Sequence, residues 1–314
     1  MDSSLALPVR DAFVAHLGEA GLLASLNARN NTAKIGHGLH CHGGCRFLWP
    51  LHLGYDVLPC PEPLSTRFGC NNDTQDNTWC DDGKWTCGLQ RIHQASNKLH
   101  SQRRCVAFSL GSNNQWGFES SLLQRTSCRT HTFDCTCPQT CAVPAELGAA
   151  RAQFHPDCVG KPQQPSSTSA AAGLSRVVSW RTVVEAHNGG MAPTLLKMDI
   201  EGAEWHVLPE MIANGATHTW PHILSLELHE FALLDPRSSR RTHVGSVGLR
   251  SFGSMLAAAG YVLVSREDNR ICPFCTEVVF VRLQPPSADA APKATAMAAW
   301  VAAKAPGFRG RQRQ

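Results

Sequence analysis

The sequence has few charged residues and no long uninterrupted apolar run. Asp, Glu, Lys and Arg make up 17% of its 314 residues and hydrophobic residues make up 43%, whereas roughly 25% of a soluble domain is usually charged. This composition can bury a sizeable core and differs from that of a disordered chain. No run reaches the roughly 18 apolar residues that a membrane-spanning helix needs, so we expect no transmembrane segment.

Net positive charge is scarce outside the C-terminal end. The chain has 29 basic and 25 acidic residues, and residues 284–314 hold five of the basic ones and one of the acidic ones. The remaining body therefore has 24 of each and is neutral. Because affinity for nucleic acid depends on clustered Lys and Arg, we expect no nucleic-acid partner. Residues 284–314 are interpreted as a flexible basic tail.

The N-terminal end lacks the pattern of a secretory signal. Residues 1–30 carry apolar residues at nearly helical spacing, but Asp11 and Glu19 interrupt them. An amphipathic helix is therefore predicted, rather than the apolar core of a signal peptide. The missing signal favours a cytoplasmic protein, whereas the cysteine content favours the secretory pathway.

Cysteine is abundant, with fourteen residues in the chain. Disulfides, free thiols and a zinc site are the alternatives, and disulfides are favoured. The zinc hypothesis rests on Cys272 and Cys275, and on Cys41, His42 and Cys45. Since Cys272 and Cys275 have no second close pair nearby, we predict no metal site.

The pattern of apolar runs divides the chain. Residues 31–103 are rich in Gly, Asn, Asp, Cys and His and are interpreted as an irregular, Cys-rich extension. From residue 104 to 283, short apolar runs alternate with helical segments, which predicts a doubly wound, mostly parallel seven-stranded α/β sheet ending in an antiparallel hairpin. The predicted strands are 105–110, 129–133, 152–159, 194–198, 223–227, 261–265 and 277–282, and the predicted helices include 119–125, 178–187 and 251–259.

The ends of the first two predicted strands carry a possible cofactor site. Gly111, Ser112 and Asn113 follow the first strand, where a small residue lets the backbone approach a ligand closely. No further glycines complete the G-x-G-x-x-G fingerprint of dinucleotide sites, which disfavours NAD. Asp134 ends the second strand, where a carboxylate can accept hydrogen bonds from ribose hydroxyls. A plain turn and an acidic helix cap are the bland alternatives.

Acidic residues and a histidine follow the fourth and fifth strands. Asp199 lies at a strand end, and Glu201 and Glu204 enter the next helix on one face. Alternation places Glu227 and His229 on one side of an extended chain. Asp199, Glu201 and His229 are therefore candidate catalytic residues that accept or orient a proton, and Asp199 is also a candidate cofactor ligand. Glu204 is interpreted as structural. A divalent-metal site formed by Asp199, Glu227 and His229 is one alternative, and a buried structural histidine is another.

Four ordered segments resemble a known family. Residues 197–204, KMDIEGAE, are similar to the K-[IM]-D-[IV]-E-G-[AS]-E signature of FkbM-type methyltransferases. Residues 81–87 (DDGKWTC), 109–119 (SLGSNNQWGFE) and 131–136 (HTFDCT) resemble segments of a eukaryotic branch of methyltransferase-like domain proteins. The resemblance implies a class I fold and S-adenosylmethionine bound by the Gly111 turn, Asp134 and the Asp199 region.

The resemblance also implies methyl transfer, to oxygen as in FkbM relatives. A small-molecule or carbohydrate acceptor is expected, although the sequence does not identify it. Two alternatives stay open: a non-catalytic binding module that keeps the methyltransferase fold, and a nicotinamide oxidoreductase on a similar sheet.

Overall fold

The computed structural model describes residues 58, 60, 64–69, 83–89, 105–137, 141–160, 176–233, 241–269, 272 and 275–304. The predicted helix at 1–30 and most of the extension lie outside this part of the chain. The helices are α1 (Gly117–Arg125), α2 (Trp180–Asn188), α3 (Glu204–Asn214), α4 (Gly245–Ala258) and α5 (Ala290–Lys304). The strands are β1 (Ser65–Phe68), β2 (Lys84–Cys87), β3 (Val106–Leu110), β4 (Arg129–Phe133), β5 (Ala152–His155), β6 (Cys158–Val159), β7 (Val177–Val178), β8 (Leu195–Met198), β9 (Ile223–His229), β10 (Phe231–Leu233), β11 (Arg241–His243), β12 (Tyr261–Asp268) and β13 (Cys275–Arg282).

A seven-stranded sheet in the order β12-β13-β9-β8-β3-β4-β5 forms the centre of the fold. Strands β9, β8, β3, β4 and β5 are parallel, whereas β13 is antiparallel to both β9 and β12. The predicted α/β sheet and its C-terminal antiparallel hairpin are confirmed. Because chain order reverses between β3 and β8, the ends of these strands form the switch point where doubly wound sheets bind ligands.

Both faces of the sheet are covered, and alternate side chains divide between them. Phe108 and Leu196 belong to a core with residues of α2, α3, α4 and α5. Their neighbours Ala107 and Leu195 belong to a second core with residues of α1 and the N-terminal extension. This double burial explains why β3 and β8 are mainly apolar rather than alternating in polarity.

Part of the extension is regular structure. Strands β1 and β2 pair antiparallel, so the stretch predicted to be irregular contains a hairpin. Phe68 from β1 is fully buried in the second core. The hydroxyl of Ser225, on β9, donates to the Trp85 carbonyl at 2.8 Å, which fixes β2 across the central sheet.

Several predicted elements differ from the structure, including the helix predicted at 251–259, which begins at Gly245. The third strand ends at His155, and Cys158–Val159 pairs with β7 instead of joining the sheet. The helix predicted at 178–187 begins at Trp180, because the Ser179 side chain accepts a hydrogen bond from the Thr182 N–H and caps it. The prediction of a flexible tail is wrong for residues 290–304. These residues form helix α5, whose apolar face is buried against the core. Its buried residues recur at helical spacing: Ala290, Ala294, Met297 and Val301.

All ten cysteines of the described residues are paired, which confirms the disulfide interpretation for them. Cys272 and Cys275 bond to each other, so they do not form a zinc site with free thiolates. Cys41, His42 and Cys45 lie outside the described residues. The other pairs are Cys60–Cys87, Cys105–Cys128, Cys135–Cys158 and Cys137–Cys141. None of the helices in the described part of the chain has both the length and the apolar character needed to cross a bilayer.

Candidate active site

The predicted site residues meet at one edge of the sheet. Gly111, Asp134 and Asp199 directly follow β3, β4 and β8, which are adjacent parallel strands. The Gly111 N–H donates to the Phe133 carbonyl at 2.9 Å, so the turn after β3 continues the ladder between the strands. The sequence argument that these three positions converge is therefore correct in geometry.

Gly111 is required by packing within the protein. Its φ of +79° lies in the left-handed region, and a β-carbon at this position would overlap the carbonyl oxygen of Asp199. The ammonium of Lys197 donates to the Gly111 carbonyl. The sequence argument reserved this space for a ligand, but the backbone after β8 fills it. The turn after β3 and the turn after β8 consequently form one unit.

Asp134 organises the turn. One of its carboxylate oxygens accepts the backbone N–H groups of Ser112 at 2.9 Å and Asn113 at 2.7 Å. The other accepts the N–H and hydroxyl of Thr136 at 2.9 and 2.7 Å, and the Cys137 N–H at 3.2 Å. Burial alone would raise the pKa of Asp134, but these hydrogen bonds outweigh it and lower the pKa. Asp134 is 5% exposed, so a ribose would bind it by replacing some of these donors.

Backbone strain marks both turns. Asn113 and Asn114 have φ values of 46° and 58°, and Glu201 has a φ of 57°. Asn tolerates the left-handed region better than most residues, whereas Glu does so at a cost of about 1 kcal/mol or more. Such outliers concentrate at ligand-binding and catalytic sites.

A buried lysine that the sequence analysis did not select lies at the centre of the site. Lys84, on β2, has a side chain only 2% exposed, and its ammonium lies 3.1 Å from Asp199 and 2.9 Å from Glu227. A third ion pair joins it to Glu277 on β13. Register explains the arrangement, since Glu227 and Glu277 are direct partners on β9 and β13. Like charges placed opposite each other are destabilising unless a cation lies between them.

The three carboxyl groups differ in their affinity for protons. Burial opposes ionisation of Asp199, but Lys84 and Lys197 lower its pKa far below the ordinary value. Burial and the neighbouring Asp199 charge raise the pKa of Glu227. Burial also raises the pKa of Glu277 well above the ordinary range, against the attraction of Lys84. Asp199 is therefore the ionised member of the cluster, and Glu227 and Glu277 are the members that hold protons most readily.

His229 lies next to this cluster and is charged. Its Nδ1 is 3.2 Å from Glu204, and its Nε2 is 3.7 Å from Glu201. Burial opposes protonation, yet the Glu204 carboxylate raises the pKa of His229 to about 9. Glu204 also accepts the Ile200 N–H at 2.9 Å, so it holds the strained turn as well as the imidazole. His229 at neutral pH is consequently a proton donor and not a base.

The predicted catalytic residues come together but differ in access to solvent. Candidate ligand atoms of Asp199, Glu201 and His229 lie within 4.8 Å of one another. The Glu201 side chain is 69% exposed and that of Asp199 is 26% exposed, whereas the His229 side chain is 4% exposed. Asp199 and Glu201 are therefore accessible from solvent, whereas His229 lies behind them.

Sequence reasoning missed Lys84, Glu277 and Asn269. Lys84 stands in the quoted segment 81–87, so the resemblance contained the signal without assigning it a role. Asn269 donates to Glu227 at 2.9 Å and accepts the Cys272 N–H at 3.0 Å. The Cys272–Cys275 disulfide thereby supports the orientation of a carboxyl group in the site.

Comparison with known proteins identifies the domain. A family model described as a methyltransferase domain matches residues 61–282, which is more than half of the chain. The match includes β1 and β2 as well as the seven-stranded sheet. No curated protein matches the chain in sequence.

Several solved structures are similar to parts of the chain. The 16S rRNA (adenine(1408)-N(1))-methyltransferase from Catenulisporales acidiphilia, as a W203A mutant, is 13% identical, with a TM-score of 0.34 over 61% of this chain and 91% of that one. The 1,6-didemethyltoxoflavin-N1-methyltransferase from Burkholderia thailandensis, with bound S-adenosylhomocysteine, is 13% identical, with a TM-score of 0.34 over 62% of this chain and 77% of that one. Likenesses of this degree do not bear on the substrate.

Proposed function

The chain belongs to the methyltransferase-domain family, and we propose that it transfers the methyl group of S-adenosylmethionine to an oxygen atom of a small-molecule or sugar-type acceptor. One observation carries the proposal: Asp199 contacts the Gly111 turn on one side and the Lys84 cluster on the other. Asp199 therefore borders the position proposed for the cofactor and also carries a carboxylate that can accept a proton. The narrower relation to FkbM-type enzymes stays a prediction.

The residues at the strand ends suit the cofactor. S-adenosylmethionine is the cofactor of this family, and when bound it supplies a methyl group activated on a sulfonium. Asp134 stays ionised and lies at the tip of β4, where it can exchange loop donors for ribose hydroxyls. Ser112 and Asn113 present the backbone that borders this position. Gly111 and Asp199 form the surface against which the cofactor would lie.

The charge pattern supports an oxygen acceptor. A hydroxyl must lose its proton as its oxygen forms the bond to the methyl carbon and the carbon–sulfur bond breaks, whereas an amine attacks through a free lone pair. Asp199, the ionised carboxylate of the cluster, accepts that proton, and because its pKa is low and its side chain reaches solvent, it releases the proton to water after the transfer. Lys84 and the protonated His229 keep Asp199 ionised until the acceptor arrives. The nearby exposed Glu201 orients the hydroxyl.

We also propose that the folded chain resides in an oxidising compartment. Five disulfides join the described cysteines: Cys105–Cys128 ties the starts of β3 and β4 together, and Cys135–Cys158 ties the end of β4 to β6. Such bridges persist in secretory and extracellular surroundings and are rare where thiols are kept reduced. Thiol counting on protein isolated without reductant tests this, and titration of all fourteen cysteines as free thiols would contradict it.

Transfer from methyl-labelled S-adenosylmethionine tests the activity. The oxidised full chain is incubated with matched hydroxyl and amine acceptors, and products are resolved by mass. We expect label on hydroxyl oxygen, and a loss of about 100-fold or more in kcat for Asp199→Asn with S-adenosylhomocysteine affinity retained. The exposed Asp289→Asn serves as the matched control. Label on amines alone contradicts the oxygen assignment, and cofactor binding without transfer to any acceptor favours the non-catalytic alternative.

A further inference from the structure

Three histidines converge near the β4–β5 edge of the sheet, outside the Asp199–Lys84 cluster, and the His155 carbonyl accepts the N–H of Asp134 at 3.1 Å. His131 lies on β4, His155 on the edge strand β5 and His187 on α2. His131 Nδ1 is 3.1 Å from His155 Nε2, and the ring centroids of His155 and His187 are 4.1 Å apart. One ring nitrogen from each residue lies within 4.8 Å of the other two.

One of the three nitrogen–nitrogen separations matches that of metal ligands, and the others are within 4.8 Å. Two imidazole nitrogens bound to zinc at about 2.0–2.1 Å in tetrahedral geometry are separated by about 3.3 Å. The 3.1 Å separation between His131 and His155 is close to that value. The residues come from three separate elements, so an ion would join β4, β5 and α2 in one contact. A chain of ring hydrogen bonds is the alternative explanation for the short distance.

The surroundings hold the imidazoles in the form that binds metals. Phe108 and Phe133 pack against the rings. Burial, aided by the neighbouring rings, lowers the pKa of His131 to about 4, and burial lowers the pKa of His155 to about 4. Neutral imidazole is the ligand form, because a protonated ring has no lone pair to donate.

A cavity gives access to the cluster. A space of about 240 Å³ adjoins it and is lined by His131, His187, Gln153, Arg129 and Arg151, among others. Three histidines with one side open to solvent are the ligand set of catalytic zinc sites, in which water or a small ligand takes the fourth position.

We propose that His131, His155 and His187 bind one divalent transition-metal ion of the zinc class, with the fourth coordination position facing the cavity. The ion clamps the edge strand β5 to β4 and α2. The test does not depend on methyl transfer, because Zn²⁺ binding is measured without cofactor or acceptor and none of the ligands belongs to the Asp199 cluster.

Zinc titration of the tag-free, EDTA-treated full chain tests the proposal. Calorimetry is expected to give one site, and Zn²⁺ should raise Tm, because an ion that binds only the folded chain stabilises it. His187→Ala and His155→Ala are each expected to weaken Zn²⁺ affinity by at least roughly 100-fold. His187 is only partly buried on α2, so this variant removes a ligand without opening the core.

Two variants serve as controls. His218→Ala changes an exposed histidine outside the cluster. His229→Asn changes the histidine that lies with Asp199 and Glu201 in the candidate active site. Both are expected to keep Zn²⁺ affinity. Absence of binding by the folded wild-type chain, or equal binding by His187→Ala, would overturn the proposal. Loss of binding in His229→Asn alone would move the site to the Asp199 cluster and overturn it as well.

Discussion

The two halves of the central sheet are stabilised by different chemistry. The half formed by β3, β4 and β5 is tied by the Cys105–Cys128 disulfide and by neutral histidine rings, and Cys135–Cys158 ties it to β6. The half that contains β9 and β13 is held by Lys84 among carboxyl groups and by the His229–Glu204 pair. His131 and His229 are both buried, so the partner of each imidazole decides its charge. His131 without a carboxylate beside it loses its proton, and His229 with Glu204 keeps one.

Of the substitutions that test this comparison, removal of the Lys84 ammonium should lower the free energy of unfolding most. Lys84→Met leaves carboxyl groups buried without their cation, and we expect a loss of about 3–5 kcal/mol in the free energy of unfolding. Denaturant titration measures it. Lys304→Met, at an exposed position of α5, is the control and should change little.

A rescue variant sharpens the same point. Glu227→Gln and Glu277→Gln, added to Lys84→Met, remove the unpaired acids and should recover part of the stability. Equal stability of Lys84→Met and the wild type would contradict the view that charge pairing holds this half.

Removing a disulfide from the half formed by β3, β4 and β5 should lower the free energy of unfolding by somewhat less. The Cys105–Cys128 bridge spans 23 residues, and the entropy of a loop of that length corresponds to about 3.5 kcal/mol. The double variant Cys105→Ala/Cys128→Ala should lose about that amount in denaturant titration. Its Lys84 cluster should stay intact, so S-adenosylhomocysteine affinity is expected to persist. A variant with unchanged stability would show that the bridge contributes nothing to this half.

The half that contains β9 and β13 should contribute less to the free energy of unfolding as pH rises. The pKa of His229 is raised from 6.5 to about 9 in the folded state. Its contribution is therefore fully present below pH 6.5 and is lost as pH rises through 9, up to about 3 kcal/mol. Unfolding free energies across this window should fall in the wild type and in His218→Asn. A fall of the same size in His229→Asn would exclude His229 as the cause.

Asp134 should give the smallest effect on stability and a clear effect on binding. Asp134→Ala leaves the N–H groups of Ser112 and Asn113 without an acceptor, which should cost about 2 kcal/mol. Loss of the ribose contact should weaken S-adenosylhomocysteine binding at least about tenfold in calorimetry. Asp134→Asn keeps one oxygen acceptor and should be intermediate in both. Reduced stability with unchanged affinity would restrict Asp134 to holding the turn.

The sequence predicted the parts of the fold that depend on local pattern. Strands β3, β8 and β9 are short, mainly apolar runs, and β4 is a short run that ends at an aspartate; all four lie close to where they were expected. The convergence of Gly111, Asp134 and Asp199 follows from parallel strands having their carboxyl ends at one edge.

The remaining features depend on contacts between distant segments. Lys84 reaches Asp199 across 115 positions of chain, and no local pattern reports that approach. Glu277 stands in an apolar strand, where its burial is acceptable only because Lys84 lies beside it. Helix α5 was missed because charge was weighed above the spacing of its small apolar residues.

The position of Lys84 on the β1–β2 hairpin determines where the chain can be truncated. The lysine arrives on the N-terminal hairpin, not on the sheet that carries the acids it neutralises. A fragment cut to start at residue 104 would retain every strand of the sheet and yet enclose a surplus of negative charge. Such a fragment should fold better under acidic conditions, and adding back a peptide of the hairpin should substitute for protons. The front of the chain thus serves as a built-in counter-ion for the catalytic layer.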